Sequence, residues 1–256
     1  MNHLERIVER TRVDVERRRR EVPLSAVIGA EPRRPLAAAL GQPGLSLIAE
    51  HKRSSPSAGV IREDLTLEEV VGAYERGGAS ALSVLTEGPS FGGSLDDLLA
   101  ARAASTLPIL RKDFIIDPYQ VQEAAAAGAD AVLLIVAALG DDELAGLHAL
   151  AAELGMAALV EVHDERELER AVGAGAQLIG INNRDLTTLE VDTRLTFELL
   201  DRVPSGVVVV AESGFSDRRQ LDELDGAGVH AVLIGEALMR PADIEAAVRA
   251  LTAPTM

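Results

Sequence analysis

The sequence contains no cysteine and no tryptophan, and aromatic residues make up only 2% of its 256 positions. Without cysteine the chain cannot form disulfides, thiolate metal sites or a thiol nucleophile. Because aromatics are scarce and 47% of the residues are hydrophobic, the core must be built from Leu, Ile, Val and Ala. An aliphatic core of this kind is typical of parallel strands covered by helices.

Long apolar runs, paired histidines and excess positive charge are also missing. No apolar run approaches the roughly 18 residues of a membrane-spanning helix, and no signal-peptide core follows the N-terminus. The 5 histidines are scattered, which argues against a histidine-based metal site. A formal charge of −16 opposes binding to nucleic acid or anionic membranes. We therefore expect a cytoplasmic protein, a monomer or weak homo-oligomer, without nucleic-acid or membrane partners.

The chain alternates short β-branched runs with stretches rich in Ala, Leu and Glu. Eight strands are predicted, at 46–51, 80–85, 107–111, 130–136, 157–162, 178–182, 206–211 and 230–234. Helix starts are predicted at Thr66 and Asp164, which can cap the backbone that follows. Residues 1–45 are predicted to form an N-terminal extension, with helices over 1–20 and 36–40, packed on a catalytic domain over 46–256.

A repeat of about 50 residues supports one particular arrangement of these strands. Glycines 78, 128, 175 and 228 each close a helix just before an apolar strand, and their numbers differ by 50, 47 and 53. Two βα units per repeat, four times over, give a (β/α)8 barrel. A doubly wound sheet is the alternative, but no GxGxxG loop follows the first strand. The prediction is an α/β fold: a single (β/α)8 TIM barrel with an N-terminal helical extension.

Polar residues stand where the predicted strands end, and the carboxyl ends of barrel strands converge on one site. In chain order they are Glu50, Lys52, Ser83, Thr86, Lys112, Glu161, Asn182, Arg184, Glu212 and Ser213. Any one of them alone is explained by a solvated rim, but three carboxylates and two lysines together predict a site. The fourth strand ends in the apolar segment 134–137, a candidate wall for a flat substrate.

Two kinds of chemistry are predicted at these ends. Ser213-Gly214 and Gly235 follow the last two strands, where barrels commonly bind phosphate, and the Ser55 hydroxyl is a possible further donor; glycines there can also serve only to turn the chain. The lysines and glutamates suit proton transfer. We expect burial beside other cations to lower the pKa of a lysine here, giving a general acid, and a glutamate with raised pKa to act in the reverse sense.

Seven motifs carry a resemblance to a known enzyme family. They are IAEHKRSSPSAG, SVLTEGPSFGGS, LPILRKDFIIDPYQ, LVEVHDE, IGINNRDLTTLEVD, VAESGF and VLIGEALM, and they span about Leu47 to Met239. In this order they resemble the strand-end motifs of indole-3-glycerol phosphate synthases. The resemblance implies a carboxy-lyase of tryptophan biosynthesis, without metal or cofactor. Its substrate is expected to be 1-(2-carboxyphenylamino)-1-deoxyribulose 5-phosphate, converted by ring closure, decarboxylation and dehydration into indole-3-glycerol phosphate.

The resemblance also implies roles for individual residues. Lys112 is expected to be the general acid for ring closure, and Glu161 the partner for proton exchange in dehydration. Substrate hydroxyls and carboxylate are expected to be held by Glu50, Lys52, Asn182 and Glu212. Phosphate is expected at Ser55, Gly214 and Gly235, supported by Arg184 and Ser213, and Phe114 is expected to cover the aryl ring.

Two alternative functions compete with this prediction. A phosphoribosylanthranilate isomerase is a barrel enzyme of the same pathway, but those isomerases typically use a Cys–Asp or Asp–Asp pair where this chain carries Lys and Glu. A catalytically silent barrel kept as a binding subunit should have lost its charged strand ends, and here they are intact.

Overall fold

The computed structural model describes residues 2–22, 32–56 and 58–253, and its centre is a closed barrel of eight parallel strands. The barrel strands are β1 (Ser46–His51), β4 (Ala81–Leu85), β5 (Ile109–Lys112), β6 (Ala131–Ile135), β7 (Ala157–Val162), β8 (Leu178–Asn182), β9 (Val208–Glu212) and β10 (Ala231–Ile234). A small hairpin, β2 (Ser54–Ser55) with β3 (Gly59–Val60), follows β1. The (β/α)8 prediction is confirmed, with all eight strands within two residues of their predicted starts and ends.

Helices alternate with the strands and cover the outside of the barrel. They are α1 (His3–Glu21), α2 (Leu36–Leu40), α3 (Leu67–Gly77), α4 (Gly88–Phe91), α5 (Leu95–Ala104), α6 (Pro118–Ala126), α7 (Asp141–Glu153), α8 (Glu165–Gly173), α9 (Arg194–Leu200), α10 (Arg218–Ala227), α11 (Glu236–Met239) and α12 (Ile244–Thr252). The predicted caps form, since the Thr66 and Asp164 side chains accept hydrogen bonds from the backbone of Glu69 and Glu167. Gly78 and Gly228 end α3 and α10 with positive φ, as their repeat positions suggested.

The two faces of each strand belong to different layers of the core. Inward residues such as Ile48, Leu110 and Leu159 fill the barrel interior, whereas Ala49, Ile109 and Val160 pack outward against the helices. Because side chains alternate along a strand, the last inward residue of each strand faces the mouth of the barrel.

The N-terminal helices lie against this barrel. Leu4, Ile7, Thr11 and Val15 form the buried face of α1, which falls within the helix predicted over 1–20. Leu36 and Leu40 of α2 join the interior core, and the hydroxyl of Ser46 at the start of β1 donates to the carbonyl of Leu40. The segment 23–31 lies outside the described residues, and the domain boundary at residue 45 stays a prediction.

Candidate active site

A cavity of about 490 Å³ opens at the carboxyl ends of the barrel strands. Twelve residues predicted from the sequence to belong to the site line it: Glu50, Lys52, Ser55, Lys112, Phe114, Glu161, Asn182, Arg184, Glu212, Ser213, Gly214 and Gly235. Strand register brings them together, since Leu85 is paired with Lys112, Ile135 with Glu161, and Asn182 with Glu212. Ser83 and Thr86 do not line the cavity, so their placement at the site was wrong.

The Lys112 ammonium lies at the centre of the charged part of this cavity. Its Nζ is 3.2 Å from Oε2 of Glu161 and 3.3 Å from Oε2 of Glu212. Both carboxylates are almost fully buried, at 1% and 2% exposure. A second ion pair, Lys52 Nζ to Glu50 Oε1 at 2.7 Å, stands beside the first. Three carboxylates thus share two lysines in a largely buried cluster.

The pKa of Lys112 is shifted opposite to the expectation from the sequence. Burial alone would lower it, but the negative charges of Glu161, Glu212 and Glu50 outweigh burial and raise the pKa of Lys112 well above its ordinary value. The prediction of a lowered lysine pKa was therefore wrong, because the neighbours of Lys112 are carboxylates rather than cations. The side chain is held as an ammonium.

The two carboxylates that flank Lys112 have pKa values shifted in opposite directions. Burial raises the pKa of Glu212 to about 8, since the attraction of Lys112 is offset by the like charges of Glu161 and Glu50. Burial also acts on Glu161, but Lys112 and His163 hold the pKa of Glu161 below its ordinary value. When the pKa values of two neighbouring acids are separated in this way, the pair can hold one proton and one negative charge near neutrality.

Glycines make room for these carboxylates. A Cβ on Gly180 would lie 2.2 Å from Oε1 of Glu212, and a Cβ on Gly235 would lie 2.5 Å from Oε1 of Glu50. Gly235 therefore packs against the charged part of the site as well as lining the cavity, a role that the sequence did not suggest.

The apolar wall of the cavity is formed by alternate residues of β6 and not by the continuous segment 134–137 that was predicted. Leu133 and Ile135 of β6 line the cavity, whereas Leu134 and Val136 belong to the outer core. Phe114 lies on the same side, with its ring centroid 6.5 Å from that of Phe91. His3, Leu4 and Ile7 of α1 complete the lining, and nothing in the sequence marked them as site residues.

The far end of the cavity is formed by the loops after β8, β9 and β10. Ser213 has a φ of 65°, unusual for a residue with a side chain, and Asn183 donates to its carbonyl oxygen at 3.0 Å. Gly214 follows with a φ of 92°, and a Cβ there would meet Thr193 at 2.5 Å. The Arg184 guanidinium donates to the Leu189 carbonyl, and the Ser55 hydroxyl accepts from the Ala58 amide.

His163 is a polar neighbour of the charged cluster that the prediction from the sequence did not include. Its Nε2 is 3.3 Å from Oε1 of Glu161, and its Nδ1 is 3.0 Å from Oε2 of Glu167. The spacing EVH held a usable signal, because residues 161 and 163 at a strand end can lie on the same face.

Neither a metal-binding cluster nor a membrane-spanning helix is found in the part of the chain that the structure describes. Among residues 2–22, 32–56 and 58–253 no three His, Asp or Glu side chains are grouped as a metal site would require. No helix within those ranges is long and apolar enough to span a membrane.

Comparison with solved structures places the fold in a broad class of barrels. The chain superposes on 3-hexulose-6-phosphate synthase with a TM-score of 0.65 at 17% identity, covering 81% of this chain and 98% of that one. N-acetylmannosamine-6-phosphate 2-epimerase from Clostridium perfringens gives 0.64 at 16% identity, with 85% and 96% covered. At such low identity these likenesses show the (β/α)8 fold alone.

Fold and site together define a barrel enzyme with lysine and glutamate at its mouth, and sequence comparison identifies the family. The family model for indole-3-glycerol phosphate synthase matches residues 4–251. The indole-3-glycerol phosphate synthase of Micrococcus luteus is 49% identical over 265 residues, covering 100% of this chain and 99% of the relative. Indole-3-glycerol phosphate synthase 2 of Streptomyces coelicolor is 53% identical over 214 residues, covering 84% and 83%.

The chain belongs to the indole-3-glycerol phosphate synthase family. The resemblance inferred from the strand-end motifs is thereby confirmed, and with it the expected enzyme class, a lyase of tryptophan biosynthesis.

Proposed function

We propose that the cavity binds 1-(2-carboxyphenylamino)-1-deoxyribulose 5-phosphate and converts it into indole-3-glycerol phosphate, CO2 and water. The phosphate binds at the end formed by Ser213, Gly214 and Gly235, supported by Ser55 and Arg184. The aryl ring lies against Leu133, Ile135 and Phe114 at the apolar end. Anchors at both ends fold the sugar chain over the ring, which brings the ketone carbon to the ring carbon that carries the carboxylate.

Lys112 acts in the first step, ring closure. The ring carbon attacks the ketone carbon, and the carbonyl oxygen takes a proton from the Lys112 ammonium to become a hydroxyl. The raised pKa of Lys112 is compatible with this role, because the alkoxide that develops is a stronger base than an amine. A fixed cation at this oxygen is worth about 3–4 kcal/mol of transition-state stabilisation. The C–CO2 bond then breaks, and its electron pair restores the aromatic ring.

Glu161 acts in the last step, dehydration. The C–O bond of the hydroxyl breaks and water leaves, with a proton supplied by the Lys112–Glu212 pair. Glu161 removes a proton from the neighbouring methylene carbon, whose C–H electrons form the pyrrole double bond. Its lowered pKa keeps Glu161 in the charged form that can accept this proton. Glu50, Lys52 and Asn182 hold the substrate's carboxylate and hydroxyls.

The observation that carries this proposal is the position of Lys112. Its Nζ lies within 3.3 Å of both Glu161 and Glu212, in the same cavity that Leu133, Ile135 and the glycine-containing loops line. One ammonium is therefore in reach of both the first and the last proton transfer.

The test separates the two steps by following two products in a single turnover with enzyme in excess. Released CO2 reports ring closure and decarboxylation, while the fluorescence of the indole product reports dehydration against the low background of a protein without Trp. Lys112→Ala should abolish both signals. Glu161→Gln should release CO2 and delay the indole signal, and Glu169→Gln, an exposed position on α8, should match the parent protein.

A parent protein that produces neither signal would refute the proposed function. Tight substrate binding without turnover would instead support the silent-barrel alternative. We also propose that no metal or cofactor takes part, so turnover should persist with a chelator. The proposal includes a cytoplasmic location and a monomeric or weakly self-associating state, which sedimentation at several concentrations would test.

A further inference from the structure

His163 stands just outside the substrate cavity and takes no part in the steps described above. It does not line that cavity but a neighbouring one of about 760 Å³, which shares Asn182 and Leu186 with the first. Its side chain is only 13% exposed. A buried ring next to a reacting carboxylate requires an explanation, because polar groups of this kind are rarely buried without a partner.

The ring is held from its outer side by Glu167 of α8. Oε2 of Glu167 accepts from the backbone amide of His163 at 2.8 Å and lies 3.0 Å from its Nδ1. The Asp164 side chain caps the first turn of α8 by accepting a hydrogen bond from the backbone amide of Glu167. This contact fixes the position of the Glu167 backbone. The orientation of the imidazole is therefore set by the helix and not by the substrate.

The inner side of the ring is directed at Glu161. Nε2 lies 3.3 Å from Oε1 of Glu161, close enough for a charge contact but without the alignment of a hydrogen bond. The other oxygen, Oε2, faces Lys112 at 3.2 Å. The two oxygens of Glu161 thus have different partners, with Lys112 on the cavity side and His163 behind.

We infer that His163, braced by Glu167, is a positioning residue that orients the Glu161 carboxylate and keeps it ionised for proton removal in dehydration. This inference rests on the proposed function of Glu161. His163 contacts no substrate atom and acts only through Glu161. The carboxylates of Glu161 and Glu167 raise the pKa of His163 to about 10 against the effect of burial, so the ring is a cation near neutrality.

The groups that face this histidine come from three elements. Glu161 lies on β7, Glu167 on α8, and Asp185 in the loop after β8, where the charge of His163 contributes to a lowered Asp185 pKa. Lys112 reaches it only through Glu161. Replacing His163 by a neutral residue removes a positive charge next to Glu161, so the pKa of Glu161 should rise.

The single-turnover assay of CO2 and indole tests this role. In His163→Gln, CO2 release should match the parent protein, while indole formation should slow by about tenfold or more, since second-layer groups commonly contribute that much. The acid limb of the indole-formation rate should also move to higher pH. Glu167→Gln should change both readouts in the same direction by a smaller factor. His148→Gln, a half-buried histidine on α7, and Glu169→Gln are the matched controls and should change neither.

Three outcomes would overturn the inference. They are an unchanged indole rate in His163→Gln, an equal slowing of CO2 and indole that indicates general disruption, and a slowed indole rate whose pH profile does not move. Glu167→Gln keeps the histidine and so tests the same role if His163→Gln folds poorly. Failure of the proposed function is distinguishable, because in that case the parent protein itself forms no indole.

Discussion

Arg111 and Lys112 are neighbours on β5, yet they belong to buried charge clusters on opposite faces of the strand. Arg111 points outward and is 1% exposed between the sheet and α6. Its guanidinium donates to the Thr86 hydroxyl at 3.0 Å, the Gln120 carbonyl at 2.7 Å and the Asp113 carboxylate at 2.8 Å. Glu123 stands at 3.5 Å and is itself paired with Arg18 of α1.

The inward cluster around Lys112 is satisfied less completely. Oε1 of Glu212 is buried with no hydrogen-bond partner. Three carboxylates share two lysines there, and two of those carboxylates have pKa values shifted in opposite directions. Buried polar groups in a framework are normally paired, so the unpaired ones indicate where a ligand is expected. Incomplete hydrogen bonding, more than burial of charge, therefore distinguishes the catalytic cluster from the structural one.

The outward cluster consists of Arg111 and its hydrogen-bonding partners on the outer face of β5. Its disruption is expected to have the largest effect on stability. Arg111→Met should lower the free energy of unfolding by about 3–5 kcal/mol, because Asp113 and Glu123 would lose a buried cation. Denaturant unfolding measures this directly. Arg249→Met is the control, since that arginine is 64% exposed in a helix-surface pair with Glu245 and should cost at most about 0.5 kcal/mol. Equal losses of unfolding free energy in the two variants would contradict a special structural role for Arg111.

A smaller effect, on rate and not on stability, is expected when the inward cluster is crowded. In Gly180→Ala the new methyl group would lie 2.2 Å from Oε1 of Glu212 and displace that carboxylate from Lys112. Turnover should fall by roughly tenfold or more, as small misplacements of reacting groups do. Gly146→Ala, on α7 with nothing within 4 Å of the new Cβ, should leave turnover unchanged. A fully active Gly180→Ala would mean that Glu212 needs no fixed position.

A further effect is expected in the pH dependence of stability. The unfolded chain releases the Glu212 proton near the ordinary pKa of 4.5, whereas the folded protein holds it to about 8. The associated stability is complete below the first value and is lost as the pH rises through the second. Between about pH 5 and pH 9 the Tm of the parent protein should therefore fall relative to that of Glu212→Gln.

Thermal unfolding at several pH values measures this difference. Glu153→Gln, exposed at the end of α7, should follow the parent curve throughout. Parallel curves for Glu212→Gln and the parent protein would show that the Glu212 pKa is not raised in the fold.

The fold and the membership of the site could be predicted because both depend on periodicity. The glycine repeat fixed the number of βα units, and the carboxyl ends of parallel strands converge whatever the details of packing. Alternation along a strand was also available, and it could have assigned Leu133 and Ile135 to the wall in place of 134–137. Applied to β5, it would have put Arg111 and Lys112 on opposite faces.

Other features of the site could not be predicted, because they depend on distances between strands that are far apart in sequence. The sign of the Lys112 pKa shift is set by Glu161 and Glu212, which come from β7 and β9. Thr86 follows a strand end like a site residue, yet its hydroxyl accepts from Arg111 in the outward cluster.

The assignment of a structural role to Arg111 and a catalytic role to Lys112 can be tested by a single comparison. The turnover per folded molecule is measured for Arg111→Met and Lys112→Met at equal folded concentration. Both substitutions replace a buried cation on β5 by the same apolar side chain. We predict that Lys112→Met loses turnover by more than about a hundredfold, whereas folded Arg111→Met keeps most of it. Equal turnover in the two variants, or a greater loss in Arg111→Met, would contradict the division of β5 into a framework face and a catalytic face.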